Sequence, residues 1–581
     1  MSERLECDVA IIGGSMGGVA AALASLEAGC KVVLTEATDW LGGQMTAQGV
    51  SALDEHLYIE TFGGTRRYYD LRERIRAHYR DLYDVEPVAD GPPLNPGNGW
   101  VSRLCFEPRV GEQVLREMLE PYLFRKTLTI LTRHRPVKAV VENDTVEAVT
   151  LRGPKNAEVT LAASYFLDAT DLGDLLPLTG AAYVMGAESQ DDTGEPHAKP
   201  GAAAPDEVQS FTYGFVVEYC PGEEHTIAKP EGYEHFRDAQ PYALHLNVGQ
   251  ENETHFKMFE RGERGELPFW TYRRIFDADP LGEGRDLALI NWAGNDYRFA
   301  NLIDKPKTEQ RRVLNEAKRL ALGFLYWLQT ECPRDGGGFG YPELKLRKDV
   351  MGTRDGLSRD PYVRESRRIK ALERITENDI VAAPGRGARA RHHPNSVGVG
   401  WYQMDLHPSV GNDEVTMFEP TLPFQIPLGA LIPETTRNLL AACKNIGTTH
   451  LSNGAYRLHP FEWAVGEAAG TLAAFCLEHG KTPRQVWASE TLTRQLQDQL
   501  LAHGVPLAWA VDVPLEHSLF AAAQRFVLAG GVTPASERFA GLELNLDAPF
   551  SPAERDVLAA VGTPIPHTVT SLGDLLEGVK T

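Results

Sequence analysis

The 581-residue sequence has no Cys-x-x-Cys pair, no long uninterrupted apolar run and no surplus of basic residues. Its seven cysteines (Cys7, Cys30, Cys105, Cys220, Cys332, Cys443 and Cys476) are odd in number and scattered. That pattern argues against a disulfide framework, a dithiol relay or a zinc site, and no other metal-ligand spacing is present. No apolar stretch approaches the ~18 residues that a bilayer span needs. The opening "MSERLECDVA" carries charges where a secretory leader would be apolar, so a soluble, cytoplasmic chain is expected. Lys+Arg 58 against Asp+Glu 80 gives a formal charge of −22, which disfavours nucleic acid and anionic membrane as partners. With 43% hydrophobic and 24% charged residues, the composition is that of an ordinary globular protein, and the length implies two or three domains.

Against these absences stands a dense glycine run near the start. In "CDVAIIGGSMGGVAAAL" the β-branched "DVAII" predicts a strand buried on both faces, and "GVAAALASLEAG" predicts a helix with a glycine stop at Gly29. Between them, Gly13, Gly14, Ser15, Met16, Gly17 and Gly18 form a phosphate-binding turn in which serine replaces the middle glycine. A second strand, "CKVVLTEA", ends at Glu36-Ala37, where a carboxylate can accept hydrogen bonds from both hydroxyls of an adenosine ribose. The unit predicts a bound dinucleotide, its pyrophosphate at the helix N-terminus.

Three further stretches recur in a telling order: Gly42-Gly43-Gln44 after the acidic strand end, Asp168-Ala169-Thr170 with Asp174 after the strand "AASYFLDATDLGD", and "NLLAACKNIGTTHLSNGAYRLHPFEWAVGEAAG" near residue 450. With "PYVRESRRI" at 361–369, they resemble the FAD-dependent oxidoreductases related to flavoproteins of the fumarate reductase and succinate dehydrogenase type, within the wider glutathione-reductase-like class. The resemblance covers roughly residues 5 to 500. It implies FAD as cofactor, with residues 13–18 on the pyrophosphate and Glu36 on the ribose. Gly43 and Gln44 would line the flavin side, Asp174 would face the ribityl or pyrophosphate, and the hairpin strand at Val137 would meet the adenine. Asn445, Ile446 and a helix start at Glu467, Ala468, Ala469 and Gly470 would lie beside the ring. Two departures stand out. "GGQMTAQG" lacks the histidine of covalent relatives, which favours non-covalent FAD, and Asp171 replaces the glycine that usually follows Asp-Ala-Thr.

The expected architecture is α/β, with a Rossmann-like FAD-binding domain split into 1–180 and 425–500. It would enclose an α+β substrate domain at 181–424 and precede a small helical segment at 501–581. Within the insertion, Val313, Ala317, Leu320, Phe324 and Leu328 recur on one face of a predicted core helix. The last segment faintly resembles an S-layer-homology-like module; a docked structural cap is the simpler reading.

The predicted catalytic set starts with Arg364, Arg367 and Arg368, which on a helix would share a face and fork around a carboxylate, phosphate or sugar hydroxyls. Arg457 and His459 precede the helix expected at the flavin, with His459 a candidate base. Asp54 with His56, and Asp405 with His407, are alternative acid–base pairs. His392 and His393 point apart in regular structure and predict exposed loop residues. The resulting expectation is hydride transfer between FAD and a small hydroxylated or carboxylated substrate, with electron acceptor and oligomeric state open. Rival readings are FAD in a structural or non-redox isomerase or lyase role, a nicotinamide-dependent dehydrogenase, and a surface-binding protein acting through its tail.

Overall fold

The computed structural model describes residues 3–86, 91–247, 253–282, 284–412, 417–532, 537–552, 554–556 and 569–578. Strand β1 (Glu3–Ile12) leads through the glycine turn into helix α1 (Met16–Glu27) and on to β2 (Val32–Glu36). The sheet continues with β3 (Leu128–Thr132), the hairpin of β4 (Arg135–Glu142) and β5 (Thr145–Arg152), and β6 (Glu158–Asp168). Its order is β3-β2-β1-β6-β5-β4, with the short strand Leu439–Ala441 also paired to β6. All pairings among β1, β2, β3, β6 and Leu439–Ala441 are parallel, whereas β4 and β5 run antiparallel. This is a mixed α/β fold of Rossmann type, and the carboxyl ends of β1, β2 and β6 converge where such sheets bind ligands.

Why α1 can sit so close to the sheet is written in glycines. A Cβ at Gly13, whose φ is +107°, would lie 2.2 Å from the Ala169 carbonyl oxygen. On its other side α1 crosses the buried helix His459–His479. There a Cβ at Gly17 would lie 2.0 Å from the Ala442 carbonyl oxygen, one at Gly466 2.0 Å from that of Gly17, and one at Gly470 2.3 Å from that of Ala21. Gly466→Ala therefore forces backbone against backbone. We expect it to cost about 1–3 kcal/mol, read as a lower urea midpoint with an unchanged slope.

Residues 211–363 build a second hydrophobic core. Its four-stranded antiparallel sheet runs Arg274–Phe276, Leu287–Ile290, Phe215–Tyr219 and Leu344–Leu346. The helix Lys307–Thr330 covers it with Val313, Ala317, Leu320, Phe324 and Leu328, all buried as its periodicity predicts. Beyond residue 500, the helices Phe520–Leu528 and Leu572–Gly578 share a small third core. Arg389 fastens this segment, its guanidinium donating to the carbonyls of Trp509, Arg538, Gly541 and Leu542. Of the stretch that suggested an S-layer-like module, residue 553 and residues 557–562 lie outside the described residues. Among the described residues, no helix is long and apolar enough to cross a membrane.

Candidate active site

At the carboxyl ends of β1, β2 and β6 lies a cavity lined by Gly13, Glu36, Ala37, Gln48, Arg135, Pro136, Thr170, Asp174 and Asp360. Val137 follows Arg135 and Pro136 on the same strand. Glu36 is the anchor: its Oε2 accepts from the Gly14 amide at 3.0 Å and its Oε1 from the Thr38 amide at 2.6 Å. Burial, reinforced by Asp171 and Asp360, raises its carboxyl to about 7. Ser15 caps α1, its Oγ accepting from Gly18 N at 3.2 Å, so the serine in the turn serves the helix. Met16 and Gly18 are buried in the first turn.

The Asp-Ala-Thr turn after β6 is tied by its own aspartate. Asp168 accepts from the amides of Thr170 and Leu175, each at 3.0 Å, and burial raises its carboxyl to about 7. Ala169 is fully buried against Gly13. Asp171 meets the buried ammonium of Lys444 at 2.8 Å, which settles its orientation.

The flavin-side glycines take left-handed backbone, with φ of +106° at Gly42 and +49° at Gly43. They turn the chain into buried Gln44, whose Nε2 donates to Glu462 Oε2 at 2.5 Å and to the Arg457 carbonyl at 3.2 Å. Asn445 is fully buried and bonds the Asp168 carbonyl at 3.1 Å, with Ile446 buried beside it. The helix expected to begin at Glu467 starts two turns earlier, at His459, where Pro460 occupies its first turn. Glu467 is instead paired with Arg67 and Thr65 Oγ1, Gly470 packs on α1, and Ala468 and Ala469 are core. Glu462 takes the N-terminal place, accepting from Gly17 N at 3.2 Å.

"PYVRESRRI" is not helical. Tyr362 exchanges backbone hydrogen bonds with Thr212, and Ile369 N bonds the Asn445 carbonyl at 3.0 Å, so its amides reach sideways to neighbouring chains. The arginines consequently do not form one fork. Arg364 bonds Thr212 Oγ1 at 2.9 Å and Asp296 at 3.0 Å. Arg367 holds Asp304 at 2.8 Å and Asp174 at 3.3 Å, and Arg368 holds Glu365 and Glu188. Asp360, Pro361 and Val363 line the cofactor cavity. The next residues brace a second cavity, lined by Glu188, Glu195, His197, Lys199, Glu207, His407 and His450. The segment thus forms a wall of the first cavity and is tied to the lining of the second through Arg368–Glu188 and Glu365–His450.

His459 is no base. Its Nδ1 accepts from Asp54 N at 3.0 Å, its Nε2 donates to the Val50 carbonyl at 2.9 Å, and burial lowers its imidazolium to about 4. Asp54 pairs with Arg273 at 3.0 Å, while His56 packs on Trp509 with ring centroids 5.2 Å apart. His407 does join a network: Nδ1 lies 2.6 Å from Asp296 Oδ2 and Nε2 3.6 Å from Asp405 Oδ1. Asp405 continues to Arg457 at 2.9 Å, and Arg457 to the Tyr362 hydroxyl at 2.7 Å. Burial alone would raise both aspartates, but Arg364 and His407 at Asp296, and His407 and Arg457 at Asp405, hold them well below the usual carboxylate range. Asp296 is the residue missed from sequence; "NDY" carries no signal beyond an aspartate.

His392 is exposed, with Nε2 at 3.1 Å from the Leu528 carbonyl. Among the described residues, Cys220, Glu223 and His225 alone bring three metal-ligating atom types within 4.8 Å of one another, and Glu223 is already paired with Arg285 at 2.9 Å.

The first cavity fits FAD: Gly13 and Glu36 line it, and Gln48 Oε1, on the same lining, is buried with no partner within the protein. Residues 8–500 match the model of the family described as FAD dependent oxidoreductase. No curated protein matches the chain. Among solved structures it is similar to a geranylgeranyl bacteriochlorophyll reductase-like protein of Thermoplasma acidophilum, at 10% identity over 99% of this chain and 96% of that chain, TM-score 0.32. It is also similar to FrdA of quinol fumarate reductase from E. coli, at 13% identity over 100% and 87%, TM-score 0.30. L-proline dehydrogenase of P. horikoshii matches at 16% identity over 33% of this chain and 26% of that chain, TM-score 0.18. The glycine turn, the acidic strand end, the unpartnered Gln48 oxygen and the family match agree, and the chain belongs to the FAD dependent oxidoreductase family, with FAD as its cofactor.

Proposed function

We propose that the protein transfers a hydride between non-covalently bound FAD and a small polar substrate, with His407 moving the accompanying proton. Bound FAD supplies a two-electron acceptor or donor. Residues 13–18, Glu36, Ala37, Gly42, Gly43, Gln44, Val137, Ala169, Thr170, Asp174, Asn445 and Ile446 would hold it. The observation that carries the reading is the chain Arg364–Asp296–His407–Asp405–Arg457, standing directly behind the wall of the cofactor cavity. Asp296, kept ionised by Arg364, accepts the Nδ1 proton of His407 and so presents Nε2 for proton exchange. Arg457 fixes Asp405 and Tyr362 and so orients the network. Acid precipitation of the purified protein tests the mode of attachment: FAD released into the supernatant supports the reading, and colour kept in the pellet contradicts it.

Glu36 gives the cofactor half its own test. Hydrogen bonds from ribose hydroxyls favour the carboxylate, whereas the protein alone favours the acid up to about pH 7, because burial and the neighbouring Asp171 and Asp360 disfavour charge there. Arg135 lines the same cavity and opposes them. FAD affinity should therefore rise with pH up to about 7, by as much as ~10-fold per unit, and level off above it. Titrating apoprotein with FAD from pH 5 to 8 reads the slope, and Glu36→Gln should flatten it.

A further inference from the structure

The cavity behind the wall is about 490 Å³, within the range of small-molecule sites. Resting on the reading of this region as the reaction site, we propose that it takes a neutral, hydroxyl-rich molecule, a sugar or polyol, and rejects carboxylates and phosphates.

Arginines beside a cavity ordinarily suggest an anion, but here each guanidinium is already neutralised from within. Arg364 is paired with Asp296, Arg368 with Glu365 and Glu188, Arg367 with Asp304, Arg457 with Asp405 and Arg273 with Asp54. The lysine on the lining, Lys199, meets Glu207 at 2.6 Å, and His197 is held by Glu377. Glu195 remains. It is fully buried, its Oε1 accepts from Glu377 N and Thr449 Oγ1, both at 2.6 Å, and its Oε2 has no partner. Glu188 and Glu207 are paired with Arg368 and Lys199, so an anion entering here would meet the Glu195 carboxyl with no uncommitted cation among the lining residues to offset its desolvation.

A hydroxyl group suits the same surface. It can donate to a carboxylate oxygen and accept from an imidazole N–H at once. His450 is placed to complement it. Its Nδ1 lies 3.0 Å from Glu365 Oε2 and its backbone amide bonds Glu188 Oε2 at 2.8 Å, so the ring is fixed with Nε2 left for a ligand. His407 is likewise backed at Nδ1 by Asp296, though its Nε2 has Asp405 Oδ1 at 3.6 Å, so two carboxylate-backed imidazoles line one cavity, as spaced hydroxyls would require.

The test uses the FAD-loaded protein and a panel of hexoses and hexitols, each paired with its uronic or aldonic acid, with binding followed calorimetrically at pH 7. We expect at least one neutral member to bind and its acid partner to bind at least ten times more weakly. Glu195→Gln should narrow that ratio. Acids that bind as well as or better than their neutral partners, a panel with no binder, or a ratio unmoved in Glu195→Gln would overturn the proposal. Anaerobic flavin absorbance separates it from the redox reading. A neutral ligand that binds without bleaching defeats hydride transfer but leaves the charge argument standing, and bleaching by the acids alone does the reverse.

Discussion

Replacing His407 by asparagine should lower kcat by about 10²–10⁴-fold while FAD content and thermal stability stay near those of the parent. The size follows from the role: proton transfer by a positioned imidazole contributes in that range, and asparagine can keep a hydrogen bond to Asp296 without the imidazole. The charge order around it makes the effect specific. Asp296 and Asp405 are both held ionised, so His407 sits between two carboxylates, one at 2.6 Å and one at 3.6 Å. His459→Asn, by contrast, should leave the pH profile of turnover unchanged, because that ring binds only backbone groups. Rate measurements on both variants, loaded with FAD, check the contrast.

The second large effect is structural. Arg368→Met should cost about 3–5 kcal/mol, because it leaves Glu365 and Glu188 with an uncompensated charge inside the protein. Burial by itself would push Glu365 up; His450 and Arg368 together hold it well below the ordinary range. Removing Arg368 should bring the folded-state Glu365 carboxyl back toward its ordinary value while His450 and the Gln209 amide still hold it down, so the stability lost on acidification should be smaller than in the parent. Adding Glu365→Gln to Arg368→Met should recover part of the loss, and the double-mutant cycle measured by urea unfolding gives the coupling directly.

How much of this was legible in the sequence differs by kind of residue. Gly13, Gly17 and Glu36 were readable because each answers a local demand, a turn with positive φ, a close helix approach or an acidic strand end, and local demands leave fixed spacings. "PYVRESRRI" stands out in the sequence by its charge, and helical spacing offers one arrangement in which its arginines would share a face. Its geometry is set by Thr212 and Asn445, which lie far away in the chain and pull its amides sideways. The arginines then fall to separate partners, Asp296, Asp304 and Glu188, none adjacent in sequence, so the fork inferred from helical spacing does not form. The early start of the helix at His459 did leave a trace, Pro460, but the "GEAAG" small-residue run drew the boundary eight residues too late. That run is small because Gly466 and Gly470 touch α1. Asp296 had no local signal at all; its importance comes from Arg364 and His407 arriving on both sides.

The central claim is that this chain uses its FAD for redox chemistry at the network behind the wall. Its most direct test is the visible absorbance of FAD-loaded protein on anaerobic addition of the ligands that bind, recorded side by side for the parent and His407→Asn. The account predicts that the flavin bands bleach in the parent and persist, or fade at least a hundred times more slowly, in the variant. Ligand that binds the parent and leaves its spectrum oxidised would contradict the account and turn it toward an isomerase or lyase; bleaching at equal rates would remove His407 from the chemistry.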